Sequence, residues 1–254
     1  VVGFGAVDVG FDRGTLRTAD SGALHTTSAR DVTVTDSAIT GAVIVATGSN
    51  AVTLSRNRVA DARIGLNQTN DVIFSDNRLV RSNIDAINCN RFAVLRNRIT
   101  DAGTALTLGG GTYDTRVSGN DFTGNAVAVW VAPFIFIDEV AGTLIDGNRI
   151  RGNSGTGILV EAAEVLGGAN VTISGNTVAR NGHGVGALVD GAGHPMDDGI
   201  HVDVPPSSGV VLTGNRTARN ADHGIEAQPG TVQDGGGNTS RRDPNGCLGV
   251  ICTS

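Results

Sequence analysis

The sequence predicts an all-β protein: a right-handed parallel β-helix, a solenoid of about nine to ten coils with three strands per coil. Three observations lead to this prediction. The chain repeats itself at intervals of about 20 residues or more, each repeat holds three short apolar segments of period two, and an asparagine occupies the same position in almost every repeat. Helical periodicity is missing, which argues against leucine-rich and ankyrin-type repeats, whose units contain helices.

The asparagine follows a short β-branched segment in each repeat, as in Ser-Arg-Asn-Arg-Val at 55–59. The eight asparagines are separated by 20, 20, 23, 28, 28, 39 and 23 residues: Asn57, Asn77, Asn97, Asn120, Asn148, Asn176, Asn215 and Asn238. Because asparagine tolerates left-handed backbone, we expect it to form the sharp turn between the second and third strands. Stacked amides should also hydrogen-bond along the axis as a ladder, so these residues are predicted to be structural.

Composition and charge narrow the class of protein. Aromatic residues make up only 4% of the chain, so the core must consist mainly of Val, Ile, Leu and Ala. A formal net charge of −6 without a basic stripe argues against nucleic acid as a partner. The longest apolar run, Val127–Ile137, is interrupted by Pro133 and is too short to span a membrane. We expect one domain over residues 1–254.

Both ends of the chain have features of their own. Residues 1–20 show no amphipathic helix, so they are predicted to be a strand-like cap or the start of a truncated coil. In the C-terminal tail, residues 239–254, Cys247 and Cys252 lie five residues apart. A disulfide there would fix an end that otherwise frays, and would indicate an extracellular or cell-surface location. Three unpaired thiols are the alternative; with the disulfide, Cys89 is left over and expected to be buried.

Motifs in the C-terminal third resemble those of a known family. Asp198-Gly-Ile-His-Val, Thr213-Gly-Asn-Arg-Thr-Ala-Arg-Asn and Asp222-His-Gly-Ile-Glu, followed by Gly236-Gly-Asn and the cysteine pair, are similar to segments of secreted bacterial proteins of the pectate-lyase-like superfamily. The resemblance covers nearly the whole chain and implies the parallel β-helix fold. It implies no single activity, because lyases, hydrolases, epimerases, tailspikes and adhesins share this scaffold.

The motifs of individual enzyme families are incomplete. Gly182-His-Gly and Asp197-Asp resemble two polygalacturonase motifs, but their order is reversed and the sequence contains no lysine. The alginate-epimerase motif Asp-Pro-His-Glu is absent, as is an obvious run of the calcium-binding aspartates of pectate lyases. Whether the chain is an enzyme is therefore open, with a polysaccharide lyase or a glycoside hydrolase as the candidate activities.

Polar residues concentrate where the repeats are longest, in the intervals that end at Asn148, Asn176 and Asn215. In Gly-Ile-His-Val-Asp at 199–203, inward Ile200 and Val202 leave His201 and Asp203 facing solvent. The same alternation turns Trp130, Glu161 and Glu226 outward in neighbouring coils. The loop 187–198 is expected to form a wall beside this face.

An aromatic platform beside carboxylates and a histidine suits a sugar chain, because a ring can stack and two carboxylates can serve as acid and base. The predicted catalytic residues are His201, Asp203, Glu226 and Asp198, and the predicted substrate-binding residues are Trp130, Glu161, His183 and His194. No cofactor is certain. Calcium is possible at Asp190 and Asp197, because clustered carboxylates suit hard cations.

Two functions are compatible with this pattern. The first is a secreted or cell-surface protein that binds or processes polysaccharide on the outward face. The second is a non-catalytic structural or adhesive module, a rigid rod that self-associates through residues 127–137, which are unusually apolar for an outward loop. In a third, simpler interpretation, the polar residues are ordinary solvent-facing positions of a soluble β-helix.

Overall fold

A computed structural model describes residues 2–17, 24–41, 43–132, 140–161, 169–184, 189 and 193–254. These residues form a parallel β-helix of ten coils with three strands in each, and they contain no helix. The predicted fold class is therefore confirmed. No helix in this part of the chain is long and apolar enough to cross a membrane.

Equivalent strands of successive coils pair in parallel and build three sheets. The first sheet consists of β1 (Val2–Phe4), β4 (Leu24–Thr27), β7 (Val43–Thr47), β10 (Arg63–Asn67), β13 (Asn83–Ile87), β16 (Thr104–Gly109), β19 (Val127–Ala132), β22 (Ile158–Glu161), β25 (Ile200–Asp203) and β28 (Ile225–Ala227). The second consists of β2 (Gly10–Asp12), β5 (Arg30–Thr35), β8 (Asn50–Ser55), β11 (Asn70–Ser75), β14 (Asn90–Leu95), β17 (Arg116–Ser118), β20 (Val140–Asp146), β23 (Ala169–Ser174), β26 (Val210–Thr213) and β29 (Val232–Asp234).

The third sheet closes each coil. It consists of β3 (Thr15–Arg17), β6 (Ala38–Thr40), β9 (Arg58–Ala60), β12 (Arg78–Val80), β15 (Arg98–Thr100), β18 (Asp121–Thr123), β21 (Arg149–Arg151), β24 (Thr177–Ala179), β27 (Arg216–Ala218), β30 (Asn238–Arg241) and β31 (Cys252–Thr253). Strands β1 to β3 pair with β4 to β6, so the N-terminal residues form a first coil. Alternate residues of the strands point inward and form one core along the axis, with Phe74, Phe92 and Phe122 fully buried.

The coils turn at residues with left-handed backbone, and these are not the asparagines. Arg56, Asp76 and Arg96 have φ angles of 55°, 56° and 53°, and each directly precedes an asparagine of the ladder. In later coils glycine takes this position: Gly119, Gly147, Gly175, Gly214 and Gly237. The expectation that asparagine itself adopts the left-handed conformation is wrong. The residue before it does so, which leaves the asparagine side chain pointing into the core.

The asparagine ladder is confirmed. The Asn97 side-chain oxygen accepts the backbone N–H of Asn77 at 2.9 Å, and its Nδ2 donates to the carbonyl of Phe74 at 2.8 Å and to Oδ1 of Asn120 at 3.1 Å. The pattern continues along the axis to Asn238. Each amide from Asn77 to Asn215 therefore links three coils and satisfies buried backbone groups.

A second ladder, which the sequence analysis missed, follows the third sheet. Its members each lie five residues after a member of the first ladder: Asn125, Asn153, Asn181, Asn220 and Asp243. This constant offset of five residues is visible in the sequence, so the second ladder was predictable from it.

Residues 127–132 form strand β19 in the middle of the first sheet, between β16 and β22. Its side chains are buried except for that of Trp130, which is half-buried. The description of these residues as part of an outward loop is wrong, and they offer no exposed apolar patch. Residues 133–137 lie outside the described residues, so self-association through 127–137 stays a prediction.

The cysteines differ in environment. Cys247 and Cys252 form a disulfide in the tail. Cys89 is a buried thiol that donates to the carbonyls of Ile87 and Leu66, and burial raises its pKa to about 11.

Candidate functional site

A column of outward side chains runs along the first sheet. Its members are in register on consecutive strands: Asp85, Thr107, Trp130, Leu159, His201 and Glu226. Since neighbouring strands are about 4.8 Å apart, the column extends about 24 Å from Asp85 to Glu226. Asp203 is in register with Glu161 on the same face. The structure thus brings together the outward residues that strand alternation indicates.

At the C-terminal end of this column lies a group of titratable residues that we name the His–carboxylate cluster: Asp198, His201, Asp222, His223 and Glu226. It arises because two successive coils enter the first sheet with the same pattern, Asp198-Gly-Ile-His and His223-Gly-Ile-Glu. His201 is in register with Glu226, which also places Asp198 beside His223.

The contacts within the cluster centre on Asp198. Its Oδ2 lies 2.8 Å from Nδ1 of His201, and its Oδ1 accepts the backbone N–H of His223 at 2.8 Å. Nδ1 of His201 is also 3.2 Å from Oε2 of Glu226. Nδ1 of His223 is 3.3 Å from Oδ2 of Asp222 and 3.5 Å from Oδ1 of Asp198. The His201 imidazole therefore faces two carboxylates, and the His223 imidazole faces three, because Oε2 of Glu226 lies 3.9 Å from its Nδ1.

The cluster is more buried than an outward strand position suggests. The exposed fraction of the side chain is 0% for Asp198, 2% for His201, 13% for Glu226, 16% for His223 and 27% for Asp222. The expectation that His201 faces solvent is wrong, because it lies between Leu159 and Glu226 and against Asp198. Met196, from the described part of the wall, forms a small apolar cluster with Val127 and Leu159, and Trp130 packs against this cluster.

Burial and neighbouring negative charges raise the pKa values of two carboxyl groups in this region. Burial, together with the hydrogen bond and the charge of Asp198, raises the pKa of Glu226 to about 7, while His201 and His223 act in the opposite direction. Burial, together with the charges of Asp198 and Asp222, also raises the pKa of Asp197. Negative charge therefore exceeds positive charge here.

The remaining predicted site residues are distributed around the face. Nε1 of Trp130 donates to Oε2 of Glu161 at 2.7 Å. On the side away from the tail, Glu161 lies two coils and Trp130 three coils from Glu226. His183 is exposed, and its Nε2 lies 2.9 Å from the carbonyl of Arg219 rather than on the cluster. His194 is half-buried in the wall.

Calcium binding at Asp190 and Asp197 stays a prediction. Asp190 lies outside the described residues. Oδ1 of Asp197 is buried without a hydrogen-bond partner, but Asp197 belongs to neither group of converging ligand atoms. Asp222 and His223 also belong to the site, and strand alternation does not indicate them. Aligning the two Gly-Ile patterns, 198–201 and 223–226, would have placed His223 next to Asp198.

A groove of about 590 Å³ adjoins the other part of the column. Polar side chains from the strands and from the preceding turns line it, with the Trp130 ring at one end: Arg81, Asn83, Asp85, Asp101 and Thr107. Nδ2 of Asn83 and Nε of Arg63 both donate to Oδ2 of Asp85, at 2.7 and 2.8 Å, so this carboxylate is held in position. The volume lies within the usual range for small-molecule sites.

These features define a parallel β-helix repeat protein with an aromatic, polar groove and a buried His–carboxylate cluster on one face. Residues 26–194, about two thirds of the chain, match the family model described as Periplasmic copper-binding protein (NosD). The chain belongs to this family. The matched residues end before Asp198, so the cluster lies beyond them. No curated protein matches the sequence.

Solved structures of similar fold include the catalytic unit of a GH87 α-1,3-glucanase from Streptomyces thermodiastaticus strain HF3-3, with 14% identity, 88% of this chain and 51% of that chain covered, and a TM-score of 0.43. The A-module of mannuronan C-5 epimerase AlgE6 from Azotobacter vinelandii shares 13% identity over 92% of this chain and 79% of that chain, with a TM-score of 0.41. The chain spans about half the length of the glucanase unit. Similarity at these sequence identities and TM-scores says nothing about the activity of this chain.

The family description names copper, and the fit of that ion depends on the ligand atoms that the chain offers. Soft thiolate and thioether ligands select copper(I), whereas imidazole suits copper(II) and zinc. In the described part of the matched segment, the Cys89 thiol is buried and protonated, which does not suit a metal ligand. The His–carboxylate cluster does fit a divalent ion, because it offers imidazole nitrogens and carboxylate oxygens within 4.8 Å of one another.

Proposed function

We propose that this chain is an extracytoplasmic polysaccharide-binding β-helix protein whose glycan site is the outward face of the first sheet around Trp130. One observation carries the proposal: the half-buried Trp130 ring borders a polar groove and stands in the same column as the His–carboxylate cluster. A glycan that lies along the helix axis would contact both.

The groove offers the two kinds of contact that a sugar needs. The indole is fixed by its hydrogen bond to Glu161, so a sugar ring can stack on it with little loss of side-chain freedom. Asp85, held by Asn83 and Arg63, presents a positioned carboxylate to sugar hydroxyl groups. Few polar groups at fixed positions are typical of selective small-molecule sites.

The charges favour a neutral glycan over a polyuronate. Asp85 and Asp101 line the groove, and the lining guanidinium of Arg81 is already paired with Asp61 at 2.6 Å. Little positive charge is left for a uronate, and the carboxylates of the face would repel one.

Binding is better supported than turnover. Asp198 and His201, two of the predicted catalytic residues, are too buried to touch a polymer. Glu226 and Asp203 are partly exposed and could meet substrate, so any turnover should depend on them. A location outside the cytoplasm is supported by the family description and by the disulfide of the tail.

The protein has one tryptophan, which makes the site directly observable. We expect neutral oligosaccharides to change the fluorescence of Trp130 in a saturable way. Trp130→Ala should weaken binding, measured by calorimetry, by about tenfold or more, which is about 1.4 kcal/mol. Reducing ends and the absorbance of unsaturated products, followed in parallel, would detect hydrolase or lyase turnover, and Glu226→Gln and Asp203→Asn should abolish it.

Ile73→Ala is the matched control, because Ile73 is a large side chain exposed on the second sheet. It should leave affinity unchanged. Glycan binding that is equally strong in Trp130→Ala, or binding only to polyuronates, would show that the proposed site is wrong.

A further inference from the structure

The His–carboxylate cluster has a charge imbalance that glycan binding does not explain. Asp198 is completely buried, and Glu226 and Asp222 lie within reach of the same imidazoles. Taking a carboxylate out of water is costly unless a positive charge accompanies it. In the described part of the chain, the groups that face these carboxylates are the imidazoles of His201 and His223, and no arginine forms an ion pair with them.

The ligand atoms already converge. Asp198, His201 and Glu226 form one group whose atoms lie within 4.8 Å of one another, and Asp198, Asp222 and His223 form a second. Both groups share Asp198, so an ion between them could draw on either. Nδ1 of His223 is also a buried atom without a hydrogen-bond partner of its own. Because this nitrogen faces carboxylates and makes no hydrogen bond, it is available to bind a cation that the carboxylates also attract.

The backbone holds these donors in place before any ion binds. His201 and Glu226 stand on paired strands of the first sheet. Asp198 is fixed by the backbone N–H of His223 and by the imidazole of His201. A pre-organised set loses little conformational freedom on binding.

We infer that the His–carboxylate cluster is a binding site for a divalent transition-metal ion, copper(II) or zinc(II), held by His201, His223 and the carboxylates around them. The inference goes beyond glycan binding and does not depend on it. Two imidazoles select these ions over calcium and magnesium, which prefer oxygen ligands alone. The partly exposed Asp222 and His223 provide the way in for the ion.

The test is metal titration of the full chain after removal of metal by a chelator. Calorimetry with zinc or copper(II), against a competing ligand, should give one strong site per chain. Electron paramagnetic resonance of the copper(II) form should show nitrogen coupling. His201→Gln and His223→Gln should each weaken binding at least tenfold, and calcium at the same concentration should not displace zinc.

His183→Gln is the matched control, because His183 is exposed and bonds to the backbone of Arg219; its affinity should equal that of the parent. If the two cluster variants bind metal as tightly as the parent, or if calcium competes equally, the inference is overturned. Circular dichroism shows whether each variant folds. If His201→Gln, at a buried position, does not fold, the metal affinity of His223→Gln alone decides the test. The metal titration is independent of the glycan measurement: if Trp130 fluorescence shows no glycan binding, the proposed function fails and the metal site still stands.

Discussion

Asn97 shows why the ladder positions require asparagine. Its side chain accepts from a backbone N–H of the previous coil and donates to a carbonyl and to the next amide. Only a short side chain with both an acceptor and two donors can do this at a buried position. Asp243 is the exception that fits the same reasoning. It ends the second ladder, where Asn220, Thr217 and Ser240 all donate to it.

We expect Asn97→Ala to lower the free energy of unfolding by about 3 kcal/mol, because it leaves buried groups of Phe74 and Asn77 without partners. Asn67→Ala is the control, since Asn67 is exposed and outside the ladder; it should change stability by no more than about 0.5 kcal/mol. Urea unfolding followed by circular dichroism gives both values. Equal effects of the two substitutions would show that the ladder does not stabilise the coils.

At the scale of the strand, the sequence was most informative where one face is buried. Alternation in Gly-Ile-His-Val-Asp placed Ile200 and Val202 inward and His201 outward, and the register agrees. It could not reveal the burial of His201, because the covering groups come from other parts of the chain: Asp198 from the preceding turn and Glu226 from the next coil. Alternation within one strand contains no information about such neighbours.

The corner residues were assigned one position too late for a similar reason. Among the residues at these corners, asparagine tolerates left-handed backbone on average. Arg56 and Arg96 do not, yet they adopt it, because the following asparagine must point inward. Packing of the buried amide thus overrides local backbone preference.

The turn at Gly182 packs tightly against the backbone of Asp197, in the segment that leads into the site. A Cβ at Gly182, whose φ is +82°, would lie 1.8 Å from the carbonyl oxygen of Asp197, directly before Asp198. Gly182→Ala should therefore displace the segment that carries Asp198, and we expect a loss of about 2–4 kcal/mol in stability from strain and overpacking together.

Gly152→Ala provides the matched comparison, because Gly152 is also left-handed, with φ of +60°, but has open space around its Cβ position. It should cost only about 1 kcal/mol, the price of the backbone conformation. Thermal unfolding of both variants separates the two contributions. If both lose the same amount, the turn at Gly182 does not press on Asp197 as the structure indicates.

Across the whole molecule, function is proposed where the regular stack is interrupted. The coils around Asn57, Asn77 and Asn97 repeat every 20 residues. Their corners alternate Arg and Asp, as in the Arg96–Asp76 ion pair of 2.8 Å. The His–carboxylate cluster lies in the last two coils, at the C-terminal end of the stack. In a solenoid each coil contacts only its neighbours, so the stability of an end coil depends on whatever covers it.

The disulfide-linked tail covers that end. The backbone N–H groups of Gly224 and Ala227 donate to the carbonyls of Gly246 and Leu248, so the tail pairs with the coil that carries His223 and Glu226. Reducing the Cys247–Cys252 disulfide removes a constraint on a short loop, which is worth about 2 kcal/mol. The effect should be local, because the tail touches only the last coils.

We therefore expect Cys247→Ser/Cys252→Ser to raise hydrogen exchange in residues 222–228 by roughly tenfold or more, while exchange in β8, β11 and β14 stays unchanged. Cys89→Ser is the comparison at the other site: it changes a buried thiol inside the stack and should leave 222–228 protected. Uniform acceleration in all coils of the disulfide variant would mean that the stack unfolds as one unit. Acceleration confined to 222–228 would show that the tail keeps the cluster residues in place through the final coil alone.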